Sequence, residues 1–130
     1  LPEDVGASDA VFLANMETAL CIVQDMAPVV GDTILLCGQG VVGLLVAEIL
    51  KRSHFGTIIT ADAFAVRRKR SEDLGCVVVD AAEDVVGIVR KFTDGRGVDK
   101  AVNVSGSDRA LQTAVDSCAF GATVVEASWY

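Results

Sequence analysis

Three glycines with the spacing G-x-G-x-x-G are the feature of this sequence that most clearly carries chemistry. They are Gly38, Gly40 and Gly43, and they follow the apolar run 33–37. Because glycine has no Cβ atom, the first permits a tight turn, the second lets a pyrophosphate approach the backbone, and the third lets a helix pack closely on a strand. The free amides and the dipole at the start of that helix attract phosphate. The motif therefore predicts a dinucleotide phosphate site.

A carboxylate stands where such a site needs one. Asp62 follows the second predicted strand, nineteen positions after Gly43, and a carboxylate there can accept hydrogen bonds from both hydroxyls of the adenosine ribose. The alternative interpretation is a turn aspartate beside a glycine-rich bend. Because a carboxylate repels the 2′-phosphate of NADP, Asp62 favours NAD as the cofactor and makes NADP less expected.

The basic run of the chain, residues 67–70, has two interpretations. It is followed at once by Glu72 and Asp73, so it can be the solvated face of a helix. Alternatively, the run supplies a cation to the adenosine ribose, and Arg67 is then the residue expected to do so. The residue pattern leaves both interpretations open.

The elements that must position these residues alternate between two hydrophobic periods. Short apolar runs, typical of strands buried on both faces, are separated by segments with helical length and spacing. The predicted strands are 33–37, 57–61, 77–79, 100–104 and 122–127, and the predicted helices are 8–26, 41–52, 64–74, 83–92 and 107–118. Ser8 is the expected N-cap of the first helix, and Ser107 with Asp108 caps the last. This alternation predicts an α/β fold, a doubly wound parallel sheet of five strands in three layers, α/β/α.

Composition and charge exclude several functions. The chain has 130 residues, enough for one domain, and its apolar fraction of 52% excludes disorder. Its net charge of −7 has the wrong sign for binding nucleic acid or an anionic membrane surface. No uncharged apolar stretch reaches about 18 residues, so no membrane span is expected. We therefore expect a cytoplasmic domain.

The cysteines and the histidine suggest no metal or catalytic site. Cys21, Cys37, Cys76 and Cys118 lie far apart in apolar segments, and we expect them to be buried in a protein of the reducing cytoplasm. With one histidine, His54, expected at the surface, the chain offers no cluster of metal ligands. No Ser/His or Cys/His/Asp set indicates a catalytic residue.

Nearly the whole chain resembles the cofactor domain of the medium-chain dehydrogenase/reductase family, the zinc-type alcohol dehydrogenases. The segments that carry the resemblance are Leu1–Glu3, Glu17–Ala19, Gly31–Thr33, the glycine motif, Asp62, Leu74–Gly75, Gly95–Asp99, Val104–Gly106 and Gly121–Val125. The resemblance implies a Rossmann-type sheet and a set of cofactor-binding residues. This set is Gly38, Gly40, Val41, Val42, Gly43, Asp62, Arg67, Val104, Ser105, Ala127 and Ser128.

The roles implied for the less conspicuous residues of this set follow the parts of the dinucleotide. The amides of Val41 and Val42 approach the pyrophosphate, Arg67 lies near the adenosine ribose, Val104 and Ser105 lie beside the nicotinamide ribose, and Ala127 and Ser128 lie near the nicotinamide amide. In the parent enzyme, the resemblance implies hydride transfer between an alcohol-type substrate and the nicotinamide.

The resemblance also implies what this chain lacks. The family's zinc ligands and proton relay lie mostly in a separate catalytic domain. Residues 1–130 are therefore expected to be the dinucleotide-binding domain of a longer polypeptide, with residues 1–30 including its lead-in helix. We expect it to bind cofactor without turnover, and we assign any zinc to the missing domain, its expected partner. The family's sheet usually has a sixth strand, so the open edge here is also a candidate site for homodimer formation.

Two other functions stay open from the residues alone. The first is a free-standing nucleotide-binding or interaction module without catalysis. The second is a domain like the S-adenosylmethionine-dependent methyltransferases, whose glycine loop resembles this one. That family usually has an acidic residue two positions before the first glycine, where this chain has Leu36.

Overall fold

Strands and helices alternate along the chain in the order that the sequence predicts. The computed structural model describes residues 2–130, so Leu1, where the resemblance begins, lies outside the described residues. The strands are β1 Asp32–Cys37, β2 Gly56–Asp62, β3 Val77–Asp80, β4 Val98–Asn103 and β5 Cys118–Glu126. The helices are α1 Ala7–Ala10, α2 Leu13–Met26, α3 Val41–Ser53, α4 Ala65–Asp73, α5 Val85–Phe92 and α6 Asp108–Asp116.

The strand order explains where a ligand can enter. All pairings are parallel, and the order across the sheet is β3-β2-β1-β4-β5. After β3 the chain crosses back and adds β4 on the far side of β1. The connections that leave β1 and β4 therefore diverge and open a crevice, which is where open α/β sheets bind ligands. The predicted Rossmann-type, doubly wound parallel sheet of five strands is confirmed.

The central strand β1 is buried on both faces of the sheet. Its side chains alternate: Ile34 and Leu36 pack with buried residues of α2 and α3, whereas Leu35 and Cys37 pack with those of α5 and α6. Because helices cover both faces, this strand consists of an unbroken apolar run instead of an apolar–polar alternation. This burial holds the end of β1, where the glycine motif begins, in a rigid position.

The lead-in segment differs from its prediction. Instead of one helix over 8–26, α1 and α2 are separated by Val11 and Phe12. Gly6 is the N-cap of α1, and its carbonyl oxygen accepts hydrogen bonds from the amides of Asp9 and Ala10. The helix therefore begins before Ser8, which lies inside the first turn, and the prediction of Ser8 as the N-cap was wrong.

The last strand begins earlier than predicted. Instead of 122–127, β5 starts at Cys118, which pairs with Val98, and the register then shifts before Lys100 pairs with Thr123. The additional residues include Gly121, whose φ is +77°, and the fully exposed Phe120. A bulge of this kind breaks the strand pattern in the sequence. At the start of α6, the side chain of Ser107 accepts a hydrogen bond from the amide of Ala110, as the capping prediction required.

Candidate nucleotide-binding site

A cleft of about 270 Å³ lies at the C-terminal ends of β1, β2 and β4. Its walls come from the glycine motif, from the segment after β2, from the loop after β4 and from the first turns of α6. The lining residues are Cys37, Gly38, Gly40, Ala61, Asp62, Ala63, Phe64, Arg67, Ala81, Val85, Val104, Ser105, Ser107, Arg109, Ala110 and Thr113. The cleft therefore brings together Gly38, Gly40, Asp62, Arg67, Val104 and Ser105 of the predicted set.

Two glycines of the motif are required by the fold itself. Gly38 has a φ of +97°, and a Cβ atom on it would lie 2.8 Å from the Cα atom of Ser105. A Cβ atom on Gly43 would overlap the carbonyl oxygen of Gly38. Larger side chains at these two positions would push apart the turn, the helix and the loop after β4. These glycines therefore permit close packing at the edge of the cleft.

Gly40 is different, because nothing in the protein requires a glycine there. Its φ of −72° and ψ of −164° are open to any residue, and a Cβ atom on it would meet no other atom within 4 Å. Gly40 is also the N-cap of α3, and no side chain caps this helix. The amides of the first turn, which have no partner inside a helix, thus stay available beside an open space that lines the cleft.

Asp62 lies at the floor of the cleft with only 5% of its surface exposed. One carboxylate oxygen accepts a hydrogen bond from the amide of Gln39, and the other accepts one from the amide of Phe64, both at 2.7 Å. The carboxylate thus stabilises the glycine turn and the start of the next segment, as the alternative interpretation of a turn aspartate requires. A carboxylate has about four acceptor positions, so acceptor capacity for a ligand remains.

Different residues of the basic run fit the two interpretations: one cation lines the cleft, and others form ion pairs away from it. Arg67 lines the cleft, with its guanidinium 3.7 Å from the Asp62 carboxylate and 4.6 Å from the centre of the Phe64 ring. Arg68 turns to the edge of the sheet and pairs with Asp80 at 2.8 Å. Lys69 forms exposed ion pairs with acidic residues of its own helix. Arg67 is therefore the cation of this run that faces the cleft.

The loop after β4 is held by the side chain of Asn103, which is fully buried. Its amide nitrogen donates to a carboxylate oxygen of Glu126 at 2.9 Å, and its amide oxygen accepts from the Ser105 hydroxyl at 2.7 Å. Partial burial works to raise the pKa of Glu126, but hydrogen bonds from Asn103, Ser128 and Tyr130 together lower it. The carboxylate thus stays charged and the loop stays anchored to β5.

The remaining residues of the predicted set lie outside the cleft walls. Val41 is half exposed at the start of α3, and Val42 packs against the core. Ala127 also packs against the core. The Ser128 hydroxyl accepts a hydrogen bond from the Gly106 amide and donates to the Asn103 carbonyl, so it joins the loop after β4 to the end of β5.

Several lining residues escaped the sequence analysis. Phe64 and Ser107 each lie two positions after a predicted residue, and that proximity was the available signal. Arg109 and Thr113 come from α6, which is far from the motif in the sequence. Arg109 is exposed, and its guanidinium forms no ion pair within residues 2–130.

The sequence predicted that all four cysteines are buried, and this is wrong for Cys21. Cys37 and Cys76 are buried, whereas Cys118 is half buried and Cys21 is exposed on α2. Burial raises the pKa of the Cys37 thiol from its ordinary 9.0 to about 12. We expect iodoacetamide at pH 8 to label Cys21 first and to leave Cys37 unlabelled until the protein unfolds, because the thiolate is the nucleophile. Peptide mass spectrometry at intervals measures the order; early labelling of Cys37 would contradict it.

The same shift has a consequence for alkaline stability. In the unfolded chain the Cys37 thiol ionises near its ordinary pKa of 9.0, whereas the folded thiol stays protonated up to about pH 12. Unfolding therefore releases a proton in this window, and the free energy of unfolding falls as the pH rises through it. Urea unfolding of Cys37→Ala between pH 8 and 10.5 should show a weaker decline than the unsubstituted chain; equal declines would contradict the assignment.

The one histidine lies at the surface, as the sequence predicts. His54 is exposed and ends α3 with a φ of +54°. No group of three or more metal-ligating side chains is found in residues 2–130. Nor does this part of the chain have a helix with the length and hydrophobicity needed to cross a membrane.

Comparison with known proteins identifies the family. The sequence model of the family "Zinc-binding dehydrogenase" matches residues 41–129, which begin at α3 with the last glycine of the motif and include all the strands after it. This chain belongs to that family. An (R,R)-butanediol dehydrogenase of Bacillus subtilis is 31% identical over 99% of the chain, but the match spans only 38% of that enzyme. The resemblance to zinc-type alcohol dehydrogenases is confirmed, and the chain corresponds to their nucleotide-binding part.

Solved structures agree with this assignment. Alcohol dehydrogenase TADH from Thermus sp. ATN1 superposes on the whole chain with a TM-score of 0.90 and 25% identity, again over 38% of its own length. A mycobacterial protein complexed with NADPH matches 95% of the chain with a TM-score of 0.80 and 30% identity. The chain thus spans well under half the length of the family members it matches. The methyltransferase alternative has no support in these comparisons.

Proposed function

We propose that residues 1–130 form the dinucleotide-binding domain of an oxidoreductase that transfers hydride between an alcohol-type substrate and NAD. The observation that carries this proposal is the open space at Gly40, beside the uncapped start of α3 and above a buried carboxylate. Since the fold itself has no need of a glycine at this position, the missing side chain is best explained by a ligand that approaches the backbone there.

The residues of the site fit the parts of such a cofactor. The first-turn amides of α3, at Val41, Val42 and Gly43, would bind the pyrophosphate with the helix dipole. Asp62 would accept the hydroxyls of the adenosine ribose, and Arg67 would lie beside that ribose. Because the net charge is −7, backbone amides and local cations must hold the phosphates against an unfavourable overall field.

The other end of the cofactor would lie along the loop after β4. Val104 and Ser105 would contact the nicotinamide ribose, and Ala127 and Ser128 would lie near the nicotinamide amide. The Ser128 hydroxyl accepts a hydrogen bond from the Gly106 amide and donates one to the carbonyl of Asn103 at the end of β4, and these bonds support this placement because they keep the two segments together. When bound, the nicotinamide supplies the hydride chemistry, while these residues orient it.

The proposal is tested by comparing how tightly the chain binds NADH and NADPH. The similar mycobacterial structure contains NADPH, so both nucleotides are chemically reasonable ligands. We expect NADH to bind more tightly than NADPH by about tenfold, because a 2′-phosphate would lie against the buried Asp62 carboxylate. Fluorescence titration of both nucleotides measures the ratio. Tighter binding of NADPH would contradict the role of Asp62, and no binding of either nucleotide would contradict the proposed function.

The catalytic groups would come from the rest of the parent polypeptide. The family members matched here are much longer than this chain, and the described residues hold no cluster of metal ligands. We propose that a zinc ion, if the parent enzyme has one, is bound outside residues 1–130. This domain would then bind cofactor without turnover.

Two exposed surfaces suit partner contacts. The outer face of α2 and the residues before it expose Phe12, Leu13, Met16 and Leu20, and we propose that the remainder of the parent polypeptide covers them. Strand β5 is an open edge of the sheet, and we propose that a second copy pairs there.

The free cysteines fit a reducing cytoplasm, and the acidic charge argues against nucleic acid and membrane surfaces as partners.

A further inference from the structure

Gln39, the residue between the first two glycines of the motif, is fully buried although it is polar. Its backbone amide donates to the Asp62 carboxylate at 2.7 Å. Its side-chain nitrogen donates to the carbonyl oxygen of Gly38 at 2.8 Å, and its side-chain oxygen accepts from the Ser71 hydroxyl at 2.8 Å. Gln39 thus contacts the glycine turn, the Asp62 carboxylate and α4.

These three contacts join the two halves of the cleft. Gly38 belongs to the turn that leads to the open space at Gly40 and to the start of α3. Ser71 lies on α4, one helical turn after Arg67, and is itself fully buried. The Ser71 hydroxyl also lies 3.4 Å from the carbonyl oxygen of Arg67. The helix that carries the cation of the cleft is therefore linked through Gln39 to the glycine turn.

We propose that Gln39 is a positioning residue that sets the distance between the pyrophosphate-binding turn and the ribose-binding residues Asp62 and Arg67. This inference rests on the proposed cofactor function. A dinucleotide contacts both halves at once, so its affinity depends on their separation. A ligand that uses only the ribose-binding half does not depend on that separation. The two kinds of ligand therefore distinguish positioning from general stabilisation of the fold.

The test compares NADH with adenosine, which carries no phosphate. Two variants break the link at different points: Gln39→Leu removes both side-chain hydrogen bonds, and Ser71→Ala removes only the bond to α4. Gln39→Leu should weaken NADH binding by about tenfold, equivalent to about 1.4 kcal/mol, and should change adenosine affinity by less than about twofold. Ser71→Ala should weaken NADH binding by about threefold and leave adenosine unchanged, because one buried hydrogen bond contributes roughly half as much. Amide shifts in NMR titrations of the 130-residue chain give both affinities.

A matched control separates this effect from lost stability. The hydroxyl of Thr93 accepts a hydrogen bond from the Gly97 amide at 2.8 Å and donates to the Val89 carbonyl at 2.8 Å. These contacts lie at the N-terminal end of β4, whereas the cleft lies at the C-terminal ends of the strands. Thr93→Val should lower the melting temperature about as much as Ser71→Ala and leave both ligand affinities unchanged.

The outcomes decide between the alternatives. If folded Ser71→Ala or Gln39→Leu loses affinity for NADH and adenosine equally, or for neither, the positioning role is overturned. If Gln39→Leu does not fold, Ser71→Ala alone gives the answer, since its hydroxyl contacts lie at the edge of the network. If the unsubstituted chain binds adenosine and NADH with no difference in affinity, or binds neither, the proposed function has failed instead.

Discussion

Replacing Gly40 with alanine is expected to leave the fold intact and to abolish detectable NADH binding. The backbone there adopts angles open to alanine, and the new methyl group would meet no protein atom. The methyl group would instead occupy the space that we propose for the pyrophosphate. A steric conflict of about 3 kcal/mol reduces affinity by about a hundredfold. Fluorescence titration with NADH measures the loss, and urea unfolding measures the stability.

Gly6 provides a matched control for this experiment. It is also the N-cap of a helix, with a φ of −69°, and a Cβ atom on it would make only ordinary contacts, the nearest at 3.7 Å. Both Gly6→Ala and Gly40→Ala should change the free energy of unfolding by less than about 1 kcal/mol. Only Gly40→Ala should lose NADH binding. Normal binding by Gly40→Ala would show that the open space is not the pyrophosphate site.

Replacing Gly43 with alanine should have the opposite signature, a large loss of stability. The new Cβ atom would overlap the carbonyl oxygen of Gly38, and that residue cannot retreat because it packs on Ser105 and its amide donates to the Ala61 carbonyl at 2.8 Å. Overpacking against backbone costs about 3 kcal/mol, whereas alanine gains only about 1 kcal/mol over glycine inside a helix. We expect a net loss of about 2 kcal/mol in the free energy of unfolding, measured in urea.

The control for Gly43 is another helical glycine. Gly87 is the third residue of α5, as Gly43 is the third of α3. A Cβ atom on Gly87 would overlap only the carboxylate of Asp84, an exposed side chain that can rotate away. The lost cap of about 1 kcal/mol is offset by the helix propensity of alanine, also about 1 kcal/mol. Gly87→Ala should therefore be nearly neutral, and an equal loss in both variants would remove the argument from close packing.

The order of elements was predictable because the spacing of apolar residues differs between the strands and the helices. The central strands are covered on both faces, so their apolar runs stand out against the helices between them. The ends of the chain were less predictable. The start of β5 was missed because a bulge at Phe120 and Gly121 interrupts the strand pattern. The break between α1 and α2 was missed because the apolar spacing continues through it.

The site was predictable only where its residues are close in sequence. The glycine motif and Asp62 belong to one strand–helix–strand unit, whose geometry places them together wherever it occurs. The contacts of Gln39 were not visible, because its partner Ser71 lies on α4, far from the motif in the sequence. Arg109 and Thr113 reach the cleft only because β4 pairs with β1 and carries α6 beside it.

The sequence by itself therefore determined the fold class, the glycine turn and the position of the carboxylate, because local spacing decides each of them. The tertiary structure decided which glycines of the motif the fold itself requires. Gly38 and Gly43 avoid clashes with the protein's own backbone, whereas Gly40 borders an open space. It also decided which cation of the basic run faces the cleft and how Gln39 links the two halves. These properties depend on contacts between elements distant in sequence, and such contacts exist only once the sheet has assembled.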